Sequence, residues 1–397
     1  MNMNCALRMP AEWAPHSATW LAWPHFHGDW PGKFEPIPWV YAEIIRHLAR
    51  HERVELIVKD AAAEKAVRKI LDKANALSAN VRFHRWPTNR VWTRDSGCTF
   101  VLNPAQVGTA QVEAAQVGTA HVGTAAPGRP AKGSSAARAR KTQGPSASLG
   151  MTVQGRSLAA IKWRFNAWAK YPNWRYDEKI GTLMAHAAKA QEIQPSAGKR
   201  VVLEGGSIDV NGQGTLLTTE ECLLSKVQQR NPGMKRADYE KIFAESLGIK
   251  NVIWLGSGIA GDDTHGHVDD LTRFVSPDTV VTAVESNPKD PNYEPLRENI
   301  RRLREAADQD GKPLAIIELP MPAPVIFEKR RLPASYANFY IANGVVLVPV
   351  FNDPNDRFAV DILADLFPDR EVVGIYCGDL VWGFGTIHCM TQQQPAV

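Results

Sequence analysis

Close to its end, the 397-residue chain reads Trp382-Gly383-Phe384-Gly385-Thr386-Ile387-His388-Cys389-Met390-Thr391-Gln392-Gln393-Gln394-Pro395. The glycines allow this backbone to approach another group closely, and the thiol of Cys389 could act as a nucleophile. A free cysteine also packs as a small hydrophobe, so a buried cysteine in a last strand is the plainer interpretation. The choice depends on whether the rest of the chain supplies partners for the thiol.

The bulk composition is that of an ordinary globular protein, with 44% hydrophobic and 22% charged residues. No apolar run approaches the roughly 20 residues that span a bilayer, and the first ten residues lack an apolar signal core. We therefore expect a cytoplasmic protein with no membrane partner. The five cysteines form no C-x-x-C pair, which predicts neither a disulfide framework nor a zinc cluster.

Residues 105–157 differ in composition from the rest of the chain, with pentapeptide repeats followed by a Gly/Ser/Pro/Arg-rich tract. Such sequence cannot bury enough apolar surface to offset its ordering entropy. We predict a disordered insertion within a single domain of residues 1–397. Residues 106–156 hold six basic residues and one acidic residue, and the whole chain carries +4. The remainder is nearly neutral, so we expect no nucleic-acid partner. An RNA-binding arm is the less favoured alternative, because the basic residues lack interleaved aromatic residues.

The other segments predict an α/β fold in which hairpins and strands alternate with single helices. Asn211-Gly212 and Asn343-Gly344 are hairpin signals. About five strand-rich blocks, each with one helix, favour a closed repetitive arrangement. A doubly wound parallel sheet is the competing architecture, and the hairpin signals argue against it. The predicted helices are 38–51, 61–76, 177–190, 236–247, 296–307 and 356–366.

Polar residues interrupt several strand ends: Asp95, Glu204, the pair His267 and Asp269, and Cys389. Each allows an ordinary structural role, such as a turn residue, a solvated edge, a core histidine or a carboxylate paired with an arginine. In an extended segment, His267 and Asp269 would point to the same side. Neighbouring glycines at several of these positions favour close approach to a ligand instead.

Together these residue types predict chemistry on a guanidinium group. Two carboxylates can each accept paired hydrogen bonds from the planar cation. A thiolate can attack its central carbon, and a histidine can protonate the departing ammonia and then activate water. A cationic substrate would also lower the pKa of a nearby thiol.

The chain resembles the agmatine deiminases and the bacterial (Porphyromonas-type) peptidylarginine deiminases over nearly its whole length outside the insertion. The resemblance lies in six segments of the sequence: Met9-Pro-Ala-Glu-Trp13, Trp92-Thr-Arg-Asp-Ser-Gly97, Leu203-Glu-Gly-Gly206, Gly266-His-Val-Asp269, Asn338-Phe-Tyr-Ile-Ala-Asn-Gly344 and Ile387-His-Cys-Met-Thr-Gln-Gln-Gln-Pro395.

This resemblance implies the pentein fold, in which five blades surround a pseudo-fivefold axis with the site at its centre. It also implies guanidine hydrolysis through a covalent thiouronium adduct, without metal or organic cofactor. By matching motifs, Cys389 is the nucleophile and His267 the general acid and base. Asp95 and Asp269 bind the guanidinium, and Glu204 lies beside His267 or the substrate nitrogens.

The resemblance also assigns supporting residues. Trp92, Arg94 and Gly385 contact the substrate or its surroundings, and Asn338 orders the site from behind. Two departures concern the substrate's far end. Arg90 stands in Asn89-Arg90-Val91, where many agmatine deiminases carry an acidic residue, and Gly28-Asp29-Trp30-Pro31 replaces a common Asp-Asn-Trp-Arg. Cys98 replaces a common proline. These changes leave the reaction type intact, but Arg90 favours a carboxylate-bearing substrate.

Three functions follow from these observations. The first is agmatine deiminase, which converts agmatine and water to N-carbamoylputrescine and ammonia in putrescine and polyamine metabolism. The second is a peptidylarginine or free-arginine deiminase with the same chemistry. The third is a non-catalytic pentein module that binds guanidines or a partner, which the presence of every reactive residue disfavours. A homo-oligomer such as a dimer is compatible with the resemblance.

Overall fold

The computed structural model describes residues 7–103 and 157–397. The predicted insertion therefore lies outside the described residues, apart from Ser157, which begins a strand. The described residues form a mixed α/β structure with five main sheets and one two-stranded hairpin, Ile326–Phe327 with Arg330–Arg331. We number the main sheets first to fifth along the chain.

The strands of these sheets follow one another in sequence, except that the C-terminal strand joins the first sheet. The first sheet contains His16–Ala22, Arg53–Val58, Val81–Arg85 and Gln392–Pro395, the second Thr99–Asn103, Ser157–Ile161 and Gln191–Ile193, the third Asp209–Val210, Thr215–Thr219 and Asn251–Leu255, the fourth Thr272–Ser276, Thr279–Val284 and Ala315–Pro320, and the fifth Tyr340–Ile341, Val345–Val350 and Glu371–Tyr376.

Each sheet combines an antiparallel pair with a parallel pair. In the second to fifth sheets, a hairpin is followed by a helical crossover that returns the chain parallel to the second hairpin strand. The first sheet has the same pattern, because Gln392–Pro395 pairs antiparallel with His16–Ala22. The described residues therefore do not form a doubly wound parallel sheet, and both predicted Asn-Gly hairpins are confirmed.

The crossovers are amphipathic helices, close to the predicted bounds. Tyr293–Glu305 buries Leu296, Ile300 and Leu303 on one face, while its arginines and glutamates form ion pairs on the exposed side. Among the described residues, the longer helices are Ile37–Leu48, Ala61–Lys73, Asp177–Ala187, Arg236–Leu247, Tyr293–Glu305 and Asn355–Leu366. Within this part of the chain, no helix is long and apolar enough to cross a membrane.

Short helical turns recur just before the first strand of a hairpin. The α-helical turns Thr93–Ser96 and Ile387–Met390 precede strands of the second and first sheets, and Glu220–Leu224 follows a strand of the third sheet. The 3-10 turns Gly205–Ser207 and Val268–Asp270 precede strands of the third and fourth sheets. Further 3-10 turns are His27–Asp29, Ala167–Ala169 and Leu380–Gly383. The turns that precede hairpin strands carry the polar residues of the predicted site.

Candidate active site

The structure brings the predicted polar residues together in a buried cluster. Asp95, Glu204, His267, Asp269 and Cys389 are each at most 5% exposed. They come from four separate segments, each of which lies at the start of a hairpin strand. The site is therefore formed by the short turns that precede these strands, and not by the strands themselves. None of these residues occupies the solvated edge or exposed turn that would suit an ordinary surface role.

The thiol of Cys389 is held by Asn338, which lies just before the first strand of the fifth sheet. The Asn338 Nδ2 donates to the thiol sulfur at 3.1 Å, and its Oδ1 accepts from the backbone N–H groups of His388 and Cys389 at 3.1 and 3.4 Å. One side chain therefore fixes both the thiol and the backbone turn that carries it. The Asp269 Oδ2 lies 3.7 Å from the sulfur.

This environment keeps the free thiol protonated. Burial raises the pKa of the Cys389 thiol well above its usual value, and the charges of Asp269, Asp270 and Asp95 raise it further. The hydrogen bond from Asn338 opposes the rise. Since a positive ligand would cancel the carboxylate charges, its arrival would lower the pKa of the thiol.

The two carboxylates predicted to bind a cation have different partners. Asp95 Oδ1 accepts from the backbone N–H of Gly206 at 2.9 Å, and its Oδ2 accepts from Trp168 Nε1 at 2.8 Å. Burial raises the pKa of Asp95 to about 6, although the charge of His267 opposes this rise. Asp269 Oδ2 accepts from His388 Nδ1 at 2.7 Å. Its Oδ1 is buried and has no hydrogen-bond partner within residues 7–103 and 157–397.

The imidazole ring of His267 lies between these carboxylates and Glu204 without a hydrogen bond to any described residue. Its Nδ1 is 3.9 Å from both Asp95 Oδ2 and Asp269 Oδ1, and its Nε2 is 3.8 Å from Glu204 Oε2. Both ring nitrogens are buried and lack a partner among the described residues. Burial alone would lower the pKa of His267, but the charge of Asp95 and contacts with Cys222 and Glu204 raise it well above its usual value. The ring is therefore an imidazolium with protons to donate.

Glu204 is held in its ionised form by a buried arginine. Arg230 Nε lies 3.2 and 3.3 Å from the two carboxylate oxygens, and neither side chain is exposed. Burial would raise the pKa of Glu204, but the charges of Arg230 and His267 outweigh it and hold the pKa below its usual value. Glu204 thus supplies a fixed negative charge behind His267.

Two glycines of the quoted motifs leave room that a side chain would fill. A Cβ atom on Gly206 would lie 2.5 Å from His267 Nδ1, 3.0 Å from Asp269 Oδ2 and 3.1 Å from Asp95 Oδ1. A Cβ on Gly385 would lie 2.8 Å from the Trp92 ring and 3.1 Å from the Cys389 Cβ. Close packing in the site, and not an unusual backbone angle, requires glycine at these positions.

A narrow cavity leads to Cys389 and Asp95. Its lining combines aromatic and charged side chains and includes Trp92, Trp168, Tyr171, Phe384, Arg90 and Asp263. A planar cation fits such walls, because aromatic faces attract cations.

The cavity lining also contains charged side chains that already have partners. The guanidinium of Arg90 is bonded to Asp29 and lies 4.1 Å from the centre of the Tyr171 ring. Asp263 accepts from Lys170 and Tyr171. A ligand's far end would therefore meet a mixed set of cations and carboxylates.

Two sequence-based expectations need correction. His267 and Asp269 converge, but not because their segment is extended: Val268–Asp270 is a 3-10 turn, and turn geometry brings both side chains inward. Arg94 does not line the cavity. Its guanidinium donates to Gln393 Oε1 at 2.6 Å and to Glu12 Oε2 at 3.1 Å, so it supports the C-terminal tail.

Several site residues were missed by sequence reasoning. Trp168 binds Asp95, and Arg230 binds Glu204. Asp270 accepts from Asn338 Nδ2 at 3.0 Å, next to the predicted Asp269. Glu12 belongs to the quoted Met9–Trp13 segment, but the motif alone gave it no role.

Among the described residues, two sets have potential metal-ligand atoms within 4.8 Å of one another: Glu204, Cys222 and His267, and Asp269, Asp270 and Cys389. Both overlap the cluster described above. A divalent cation at the first set would meet the Arg230 charge on Glu204 and the protonated His267, so these residues fit a metal poorly.

Comparison with known proteins gives consistent matches. Residues 8–395 match the family of Porphyromonas-type peptidyl-arginine deiminases. The agmatine deiminase of Pseudomonas fluorescens is 32% identical over 411 residues, covering 98% of this chain and 95% of that protein. That of Pseudomonas syringae is 31% identical with the same coverage. The solved agmatine deiminase of Enterococcus faecalis is 26% identical, with a TM-score of 0.78 over 98% of this chain and 96% of its own.

Proposed function

Because the chain belongs to the Porphyromonas-type peptidyl-arginine deiminase family, we propose that it is an agmatine deiminase, a hydrolase that converts agmatine and water to N-carbamoylputrescine and ammonia. The arrangement of a buried thiol, two carboxylates and an imidazolium without hydrogen bonds carries the proposal of guanidine chemistry. The full-length similarity to agmatine deiminases supports the choice of substrate.

Binding comes first. The substrate guanidinium lies between Asp95 and Asp269, where its N–H groups donate to carboxylate oxygens, including the unpartnered Oδ1 of Asp269. Trp92 covers one face of the planar group. The positive charge offsets the carboxylates that raise the pKa of Cys389, so the thiol releases its proton to solvent water and becomes a thiolate when substrate is present.

The thiolate then attacks the guanidinium carbon and forms a C–S bond. His267, protonated in the free site, donates a proton to one nitrogen, and the C–N bond breaks to release ammonia. A covalent thiouronium remains on Cys389. The charge of Glu204 stabilises the imidazolium before this transfer.

Hydrolysis completes the cycle. The now neutral His267 accepts a proton from water, and the hydroxyl attacks the thiouronium carbon. When the adduct collapses, the C–S bond breaks, the hydroxyl proton passes to the departing sulfur, and the ureido product and the Cys389 thiol are formed. These steps use side chains of this chain and need neither metal nor organic cofactor.

The arrangement of the five sheets in the whole domain is also inferred. We infer that residues 1–397 form one catalytic domain in which the five sheets close around a pseudo-fivefold axis, with residues 105–157 as an insertion. The repeated hairpin and crossover pattern supports this inference. The pairing of the C-terminal strand Gln392–Pro395 with the first sheet also supports it. A cytoplasmic location and a dimeric state stay predictions.

Ammonia release from agmatine tests the function. Purified wild-type protein should release one ammonia per N-carbamoylputrescine formed. Cys389→Ala should abolish release, whereas Cys377→Ala, which removes a buried thiol not found in the cavity lining, should keep it. Activity in Cys389→Ala at the wild-type level would refute the covalent mechanism.

A second candidate, a free-arginine or peptidylarginine deiminase, is favoured by one observation. Arg90 is among the residues that line the cavity, where its charge would attract a carboxylate and repel the agmatine ammonium. A substrate panel of agmatine, arginine and a short arginine peptide separates the candidates. Higher kcat/KM for arginine in wild type, together with its selective loss in Arg90→Ala, would replace the agmatine assignment.

A further inference from the structure

Glu12 is a buried carboxylate that the proposed reaction does not use, although it lies directly behind the site. Its Oε1 accepts from Arg273 Nη2 and from the backbone N–H of Ile341, both at 2.9 Å. Its Oε2 accepts from Arg94 Nη2 at 3.1 Å and contacts His388 Nε2 at 2.8 Å. The N-terminal segment thus reaches the catalytic turn through one side chain.

His388 joins Glu12 to a residue of the reaction. Its Nε2 contacts Glu12, and its Nδ1 contacts Asp269 Oδ2 at 2.7 Å. Burial would raise the pKa of Glu12, but the charges of Arg273 and His388 hold it well below its usual value. Burial would likewise raise the pKa of Asp269, but the hydrogen bond and charge of His388 lower it. Both carboxylates are therefore ionised near neutral pH.

An ionised carboxylate only accepts hydrogen bonds. Because each ring nitrogen of His388 faces such an oxygen, both nitrogens are placed to donate, and the ring bridges the two carboxylates. Its protons are therefore committed to Glu12 and Asp269, unlike those of His267. His388 is not suited to proton transfer in the reaction, although it is adjacent to Cys389 in the sequence.

The contact with His388 fixes the orientation of the Asp269 carboxylate. His388 occupies Oδ2, and Oδ1 has no hydrogen-bond partner in the described part of the chain. We propose that Glu12 and His388 form a relay that orients Asp269, so that one carboxylate oxygen stays available for the substrate guanidinium. His388 is then a positioning residue for the reaction. This inference rests on the proposed function, in which Asp269 binds the cation.

Two substitutions at one position separate the two contacts. An asparagine amide nitrogen replaces Nδ1, and a glutamine amide nitrogen reaches the position of Nε2. His388→Asn therefore keeps a donor to Asp269, whereas His388→Gln keeps only the donor to Glu12. We expect kcat/KM for agmatine to fall roughly 10- to 100-fold in His388→Gln, and by less in His388→Asn.

Cysteine alkylation gives a readout that does not depend on turnover. Chloroacetamidine carries a cationic amidine, iodoacetamide is neutral, and in each reaction the Cys389 sulfur displaces halide. The ratio of the cationic to the neutral labelling rate reports binding of the cation by the carboxylates. We expect this ratio to fall in His388→Gln and in Glu12→Gln, and to stay near the wild-type value in His388→Asn.

The outcomes separate the relay from a merely structural role. Equal ratios in His388→Asn and His388→Gln, or an unchanged ratio in folded Glu12→Gln, would overturn it. Slower labelling by both reagents with an unchanged ratio would also overturn it, since that indicates displacement of the thiol. Wild-type protein that releases no ammonia from agmatine would refute the proposed function, whereas a ratio difference between the two His388 variants would still support the relay.

Discussion

The substitution Gly206→Ala tests how tightly the site is built. An added Cβ would lie 2.5 Å from His267 Nδ1, and 3.4 Å is where ordinary van der Waals contact begins. Either the imidazole or the backbone must therefore shift by about 0.9 Å. Since the backbone N–H of Gly206 also donates to Asp95 at 2.9 Å, a backbone shift would disturb a second catalytic group.

A misplacement of about 1 Å costs roughly 100-fold in rate, which corresponds to about 2.7 kcal/mol of transition-state stabilisation. We expect kcat/KM for agmatine to fall by about this factor in Gly206→Ala, with a smaller loss of stability from the added methyl group. Steady-state ammonia release and thermal unfolding followed by circular dichroism measure the two effects.

Gly256→Ala is the matched control. Its Cβ would meet Asn299 Oδ1 at 3.4 Å, an ordinary contact, so activity should stay close to wild type. Folded Gly206→Ala protein with kcat/KM within twofold of wild type would refute the reasoning, because the reacting groups would then tolerate the displacement.

Two further outcomes are expected. The pKa of Asp95 is raised to about 6, so kcat/KM should fall as the pH drops through 6 and this carboxylate loses its charge. The control variant Asp29→Asn should show the same fall. A flat profile from pH 5 to 7 would contradict the prediction. The free energy of unfolding should change in the opposite direction. Because the pKa of Asp95 is raised in the folded protein, this group stabilises the fold at low pH, and that stabilisation is lost as the pH rises through about 6. Asn103 and Ser157 pair at the end of an antiparallel hairpin. Replacing residues 104–156 by the two-residue turn Asn-Gly should therefore leave activity and melting temperature nearly unchanged. A large loss of either would show that the segment is structural.

Local sequence was sufficient to predict the longer helices and the kinds of reactive group in the site. Amphipathic periodicity predicted the crossover helices because their apolar faces repeat at helical spacing. Motifs around Asp95, Glu204, His267 and Cys389 predicted guanidine chemistry because reactive side chains stand beside glycines. Val268–Asp270 is a 3-10 turn and not the extended segment in which His267 and Asp269 would point to the same side; short 3-10 turns have weak local signals.

The residues that hold the site in place required the tertiary structure. Glu12 and His388 are 376 positions apart, and Trp168 is 73 positions from Asp95; no local pattern relates such pairs. Strand pairing between His16–Ala22 and Gln392–Pro395 brings the two ends of the chain together and directs Arg94 to the tail instead of the cavity. The sequence by itself determined which reactive groups this protein contains, because residue type and local spacing specify chemistry. Only the tertiary structure decided which partner each group faces, because those contacts depend on how distant strands pack.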